Sequence, residues 1–162
     1  MLSAARDCRS ISALAGLSCG STRGYFQESS NWPSCDRPMN VVFNGTEQSF
    51  KSLDEFAAAL DRFDLEPQFE LWIASRKDGP SMCMLRNGDH AWLMYLQSDG
   101  DEGVVTEGDP NRQGSWPYTL ANGQLDEYPL SWCITIEQCF DALAHFFVND
   151  GARYTVIPWR DA

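Results

Sequence analysis

Residues 68–96 read QFELWIASRKDGPSMCMLRNGDHAWLMYL, and this stretch decides the fold. Every second residue from Phe69 to Ile73 is apolar, the period-2 pattern of a strand with one buried face. Further along, Asn87-Gly88 separates two apolar runs, and this dipeptide tolerates the positive φ angles of a tight hairpin turn. The stretch therefore predicts three consecutive antiparallel strands, at about residues 68–75, 80–86 and 89–96.

Two helices are predicted outside this meander, each from a start signal followed by a helical apolar stripe. The segments Ser52–Glu55 and Thr135–Gln138 both have the capping-box form, in which a Ser or Thr precedes a Glu or Gln by three residues. Apolar residues at helical spacing follow both segments. We expect helices at about residues 53–63 and 136–148, each with its apolar side on the sheet.

The other strand predictions are shorter. They cover residues 40–43, 104–105, 116–120, 124–128 and 153–157, with Asn122-Gly123 as the turn between the third and the fourth. The predicted fold is α+β: a mainly antiparallel sheet of about six strands with two amphipathic helices packed on one face.

Composition indicates one acidic globular domain. The chain has 162 residues, a hydrophobic fraction of 43%, a net charge of −11 and a pI near 4.4. Such a charge repels nucleic acid and favours basic partners, although solubility alone also explains an acidic protein. Six cysteines occur without a CxxC pair or zinc-type spacing, which favours buried thiols in a reducing compartment, and hence the cytoplasm.

Residues 1–38 differ from the rest of the chain. They hold four Arg against three acidic residues, a charge of about +1, so residues 39–162 carry eight basic and twenty acidic side chains, or −12. The apolar patch Ile11–Leu17 followed by Cys19 is similar to an export signal, but Asp7 and the interrupting serines argue against one. We interpret 1–38 as a dispensable extension and 39–162, beginning at Met39, as the functional domain.

The sequence carries little catalytic signal. Cys83 and His90, on either side of the Asn-Gly hairpin, form the one local pair that suits a thiol enzyme. No calcium-loop spacing, Gly-rich phosphate loop or GxSxG motif occurs, so we expect neither a metal nor another cofactor. The absence of a basic patch argues against direct binding of nucleic acid.

Residues 97–112 form an acidic, glycine-rich stretch with a net charge of about −4, which is either a solvated loop or a binding loop. Its acidic residues are Asp99, Asp101, Glu102, Glu107 and Asp109. Trp72 alternates out of phase with the buried side of its strand, which is typical of an aromatic contact in a protein interface. The alternative is that Trp116 or residues 1–38 cover it.

Several segments together resemble a known family. They are Gly79-Pro80-Ser81, the Asn87-Gly88 hairpin, Asp126-Glu127-Tyr128-Pro129, and the Phe146-Phe147 pair with Trp159 near the end. In these segments, over about residues 40–160, the chain resembles bacterial immunity proteins of polymorphic toxin systems. More narrowly, it is similar to those encoded beside nucleic-acid (cytidine) deaminase toxins.

The resemblance implies a non-enzymatic, cytoplasmic inhibitor that forms a heterodimer with its toxin and blocks the toxin's basic active-site cleft. The residues expected to bind the toxin are the five acidic residues above, then Asp126, Glu127 and Tyr128 of the second hairpin, and Trp72 and Trp116 as aromatic anchors. One alternative is an acidic mimic of nucleic acid, or a general interaction module, aimed at another enzyme. A second alternative is a thiol enzyme that uses Cys83 and His90.

Overall fold

A seven-stranded antiparallel sheet runs through the centre of the computed structural model, which describes residues 38–162. Its strands are β1 (Met39–Phe43), β2 (Thr46–Phe50), β3 (Gln68–Ala74), β4 (Ser81–Asn87), β5 (His90–Leu96), β6 (Val104–Thr106) and β9 (Trp159–Asp161). They lie in the order β2-β1-β3-β4-β5-β6-β9. A separate hairpin consists of β7 (Ser115–Thr119) and β8 (Leu125–Pro129), and the helices are α1 (Leu53–Phe63) and α2 (Ile136–Val148).

Side-chain caps define where the helices begin. The Ser52 hydroxyl accepts the Glu55 N–H at 3.2 Å, and the Thr135 hydroxyl accepts the Gln138 N–H at 3.2 Å. At α2 the Gln138 side chain also accepts the Thr135 N–H, which completes the predicted capping box. At α1 the Glu55 carboxylate instead accepts the N–H of Lys51. Both helices match the predicted boundaries because capping is a local interaction.

Both helices pack on one side of the sheet, which we call the helix face. Phe56 of α1 stacks on Phe147 of α2 with ring centroids 5.0 Å apart, and Phe43 of β1 stacks on Phe63 at 3.8 Å. The core here is a continuous layer of buried apolar side chains from strands and helices. The predicted arrangement of two helices on one face of an antiparallel sheet is confirmed, with seven strands and a second small sheet in place of about six strands.

The β7-β8 hairpin packs on the opposite side of the sheet, which we call the hairpin face. Its core is aromatic: Trp92 of β5 contacts Tyr128 at a ring distance of 4.6 Å and Trp132 at 5.1 Å. The Trp132 ring belongs to a 3-10 turn, Leu130–Trp132, that joins the hairpin to α2. The Gly108 N–H donates to the Ser131 carbonyl at 2.7 Å, which fastens this turn to the end of β6.

The structure corrects three local predictions. The polar segment Thr46–Phe50, which was not predicted, is β2 and pairs with β1 across an Asn44-Gly45 turn. The turn between β4 and β5 is Gly88-Asp89, one residue later than expected, because Asn87 pairs with His90. Residues 153–157 are not a strand, since the last strand is β9. The proposed extension, residues 1–38, lies outside the described residues except for Pro38.

Within residues 38–162, neither helix has the length and apolar character needed to cross a bilayer.

Candidate functional site

The hairpin covers only half of the hairpin face. Its contacts with the sheet lie at the end where β4 turns into β5: Gln68 donates to the Thr119 hydroxyl at 2.5 Å, and Asn87 donates to the Pro117 carbonyl at 2.8 Å. Toward the other end of the sheet the side chains on this face are half-buried, and two of them, Trp72 and Met94, pack against the edge of the hairpin core. We call this region the open face, and it consists of Val42, Trp72, Ala74, Ser81, Met94 and Leu96.

Cross-strand register places the open-face residues side by side. Val42 lies opposite Trp72, and Trp72 lies opposite Cys83, which in turn lies opposite Met94. In the next row, two residues further along each strand, Ala74 lies opposite Ser81 and Ser81 lies opposite Leu96. Residues directly opposite each other on antiparallel strands share a face, so these two rows form one continuous surface.

Trp72 is held in a fixed orientation on this surface. Its indole N–H donates to Glu70 Oε1 at 2.6 Å, and Glu70 Oε2 accepts the N–H of Ala121 at 2.6 Å. One carboxylate therefore joins the aromatic ring to the hairpin turn. A side chain that is already immobilised loses little conformational entropy when a partner packs on it.

The acidic loop of residues 97–103 follows Leu96 at one end of the open face, and its Asp101 and Glu102 also line a recess with Tyr95 and Arg153. Asp101 Oδ2 accepts the Gln97 N–H at 2.8 Å, and hydrogen bonds from the Gln97 and Gly103 N–H groups lower the pKa of Asp101. The Leu96 side chain lies so close to Gly103 that a side chain at that position would collide with it. Asp101 therefore organises the loop, whereas the Asp99 and Glu102 carboxylates are exposed and make no ion pair or hydrogen bond with other described residues.

Strand β8 forms the second acidic border of the open face. Asp126 accepts hydrogen bonds from Gln124 at 2.7 Å and from the Tyr128 hydroxyl at 3.3 Å. Burial and the neighbouring Asp126 carboxylate raise the pKa of Tyr128, whose ring packs on Trp92. Tyr128 is thus part of the hairpin core, and Glu127 belongs to the outer side of the hairpin, where it accepts a bond from Ser115 at 2.6 Å.

The remaining predicted residues lie at the opposite end of the sheet. Strand β6 runs back along β5, so Glu107 and Asp109 are separated from the loop of residues 97–103. The Glu107 N–H donates to the Pro158 carbonyl at 3.0 Å, and Asp109 caps its own turn through Asn111. Trp116, 38% exposed, packs edge-on against His90 at 4.5 Å. The ten predicted residues therefore do not form one site: the acids of residues 97–103 and those of residues 107–109 lie toward opposite ends of β5, and Trp116 pairs with Tyr128 of the hairpin.

Cys83 and His90 are not arranged for catalysis. Cys83 pairs with Met94 and His90 pairs with Asn87, so the two lie four residues apart along the ladder, about 13 Å at strand geometry. Burial, followed by the nearby Glu70 carboxylate, raises the pKa of the Cys83 thiol well above its ordinary value. Burial and Arg112 lower the pKa of His90. A reactive thiol needs a lowered pKa and a base within reach.

Within the described part of the chain, no group of His, Cys, Asp and Glu side chains could hold a metal ion. No protein-family model matches the sequence, and no curated protein matches it at a significant level. The physical features of the surface therefore carry the functional argument.

The open face was not predictable as a unit from sequence patterns. The signal that could have found it was the phase of Trp72, because Val42, Met94 and Leu96 share its face once the register is known. That register could not be assigned without β2 and the correct turn between β4 and β5.

Proposed function

We propose that this protein is an immunity protein that binds a cognate toxin, a deaminase acting on DNA or RNA, and blocks its basic active-site cleft. The observation that carries the proposal is the charge of the described part of the chain. The whole chain has 12 basic and 23 acidic residues; residues 1–37 hold four and three of these, which leaves 8 minus 20, or −12, on residues 38–162.

An enzyme that acts on nucleic acid binds the phosphate backbone through Lys and Arg side chains in its cleft. A strongly acidic protein is attracted to such a cleft at long range, and this attraction increases the association rate. The resemblance described above supports the same class of partner. We propose that the complex forms in the cytoplasm of the cell that produces both proteins, as a heterodimer, with no cofactor and no chemistry at the inhibitor.

Co-expression with the toxin domain encoded by the neighbouring gene tests the proposal. We expect the two proteins to co-purify as a one-to-one complex, the toxin's activity to be lost, and the association rate to fall with increasing salt. An active toxin in the presence of excess inhibitor would overturn the proposal. Tight binding to an unrelated nucleic-acid enzyme instead would favour the general acidic mimic.

The exposed carboxylates of the acidic loop provide a sharper version of this test. The double variant Asp99→Lys/Glu102→Lys removes free charges and leaves the loop-forming Asp101 intact. We expect it to associate with the toxin about tenfold more slowly at low salt. The matched control is Asp54→Lys/Glu66→Lys, which makes the same charge change at exposed positions in and after α1. An equal effect in both variants would mean that only net charge matters.

A further inference from the structure

We propose that the open face is the docking site for the partner, and that it takes a protein surface with an apolar centre and Lys or Arg side chains around it. For the identity of the partner, this inference rests on the proposed function. It adds which side of the inhibitor is used and what chemistry the bound surface must have.

The centre of the open face has the properties of an interface core. Val42, Trp72, Met94 and Leu96 are half-buried, and they lie in two adjacent rows of one rigid sheet. Binding energy in protein interfaces is concentrated in aromatic and large apolar side chains that lose their remaining contact with water. Ala74 is small and adjoins Trp72 along the same face of β3, so a side chain of the partner can contact the edge of the indole ring there.

Acidic side chains lie at several points around this centre. Asp99 and Glu102 lie in the loop beyond Leu96, Asp126 lies on β8, and Glu47 lies opposite Val42 at the β2 edge. The basic side chains near this centre are Arg160, opposite Val105 at the β9 edge, and Arg76 and Lys77 in the loop between Ala74 and Ser81, where Arg76 lies 3.8 Å from Asp150. A partner whose cationic side chains lie over the β2 edge, β8 and the loop of residues 97–103 would therefore face carboxylates and avoid these basic residues. An Arg side chain could also stack on Trp72 while it pairs with these acids.

The opposite end of the sheet is a poorer match. Trp116 is exposed there, but its neighbours include Arg112, which lies 3.1 Å from His90 Nδ1. A cationic partner would meet a positive charge beside this aromatic ring. Because Asp89 also acts on His90, the Trp116 end carries charges of both signs, and what distinguishes the open face is its two continuous rows of apolar side chains.

Lysine substitutions on the open face test the inference. In the full chain, Ala74→Lys and Ser81→Lys each place a positive charge in the proposed contact without removing a core side chain. We expect each to raise the dissociation constant for the catalytically inactivated toxin domain at least about tenfold. The control is Ala58→Lys, at an exposed position on α1, which should change the constant less than about twofold. Circular dichroism shows whether each variant folds.

The results separate the two proposals. If the wild-type chain binds no toxin, the proposed function fails. If the wild-type chain binds and Ala74→Lys and Ser81→Lys bind equally well, the proposed function stands and the open face is not the docking site.

A photo-crosslinking measurement identifies the occupant directly and guards against misfolded variants. Ser81→benzoylphenylalanine is placed in the full chain, mixed with excess toxin and irradiated, and the crosslinked peptides are mapped by mass spectrometry. We expect crosslinks to a Lys- or Arg-rich segment of the toxin. Crosslinks that persist to residues 1–37 of the same chain, or to a second copy of it, would overturn the inference.

Discussion

The two faces of the sheet are covered in different ways. On the helix face, α1 and α2 bury Phe, Leu and Ile side chains in one continuous apolar layer. On the hairpin face, a two-stranded layer covers half of the area and packs through Trp, Tyr and Cys side chains, with polar links such as the Gln68–Thr119 hydrogen bond. Even the buried Trp92 indole N–H lacks a hydrogen-bond acceptor among the described residues.

Because of this difference, one face of the sheet stabilises the fold and the other leaves surface available for binding. Closely packed aliphatic and Phe side chains contribute most of the hydrophobic stabilisation, so the helix face holds the fold together. The hairpin face contributes less and leaves aromatic and apolar surface available. An interface can therefore be built on one side of the sheet without weakening the core on the other side.

The largest expected effect is on the helix face. Phe56 is fully buried and stacks on Phe147, so Phe56→Ala removes contacts between α1 and α2 and leaves a cavity. We expect the free energy of unfolding to fall by about 3–5 kcal/mol, measured by urea denaturation. A loss below about 1 kcal/mol would show that the helix layer is not the main source of stability.

Loss of the link between Trp72 and the hairpin should have a smaller effect that stays local. Glu70→Ala removes the acceptor for the Trp72 indole and for the Ala121 N–H. We expect a loss of about 1.5–3 kcal/mol, because both hydrogen bonds involve a charged acceptor. Hydrogen exchange should accelerate at hairpin amides and stay unchanged in α2. Equal acceleration in both layers would show that the two faces unfold as one unit.

Buried thiols make stability depend on pH on both faces. Burial raises the pKa of Cys83 on the hairpin face and of Cys139 on the helix face above the ordinary value of 9.0. Above about pH 9 the unfolded chain loses these protons while the folded protein keeps them, so stability should decrease as pH rises. Urea unfolding between pH 7 and pH 10 measures the slope.

The variant Cys83→Ala/Cys139→Ala should show a shallower decrease over the same pH range. The rate of thiol alkylation, measured separately for the peptide that contains each cysteine, compares how readily the two faces open. Cys83 should react faster than Cys139 if the hairpin layer opens more readily than the helix layer. The reverse order would contradict the assignment of lower local stability to the hairpin.

The smallest effect concerns one contact in the aromatic layer. The Tyr118 hydroxyl lies 3.3 Å from Cys133 Sγ, a weak hydrogen bond in a buried site, and burial is the main cause that raises the pKa of Tyr118. We expect Tyr118→Phe to change the free energy of unfolding by less than about 1 kcal/mol near neutral pH. A larger loss would mean that polar contacts contribute more to this layer than its aromatic packing.

Local signals made most of the scaffold predictable. Both helices have a hydroxyl cap and an apolar stripe within a few residues, and β3 to β5 alternate clearly around a short turn. By contrast, β2 is an exposed edge strand of polar residues, and only its pairing with β1 makes it a strand. In residues 153–157 the apolar residues do not mark a strand, because Tyr154 and Ile157 fill the helix-face core from a loop while Val156 is exposed.

The candidate site was predictable in composition but not in arrangement. The sequence identified Asp99, Glu102 and Trp72 as surface features, yet it grouped Glu107 and Asp109 with them. Strand β6, only three residues long, carries the chain back along β5 and separates these acids. Which acidic residues border the open face thus depends on sheet topology, and sequence spacing does not reveal that topology.

The close approach of Gly108 to the 3-10 turn has an evolutionary consequence. A methyl group on its α-carbon would overlap the Cys133 carbonyl. Any other residue there would therefore force the 3-10 turn, which is the root of the hairpin, away from the sheet. At the hairpin tip, Ala121 and Asn122 are exposed, and although the φ of +84° at Gly123 favours glycine, a methyl group there would meet no atom within 4 Å. Mutations should therefore accumulate at the tip and be eliminated at the root. Since the tip lies over β3 near Trp72, partner preference could diverge between lineages while the scaffold stays the same.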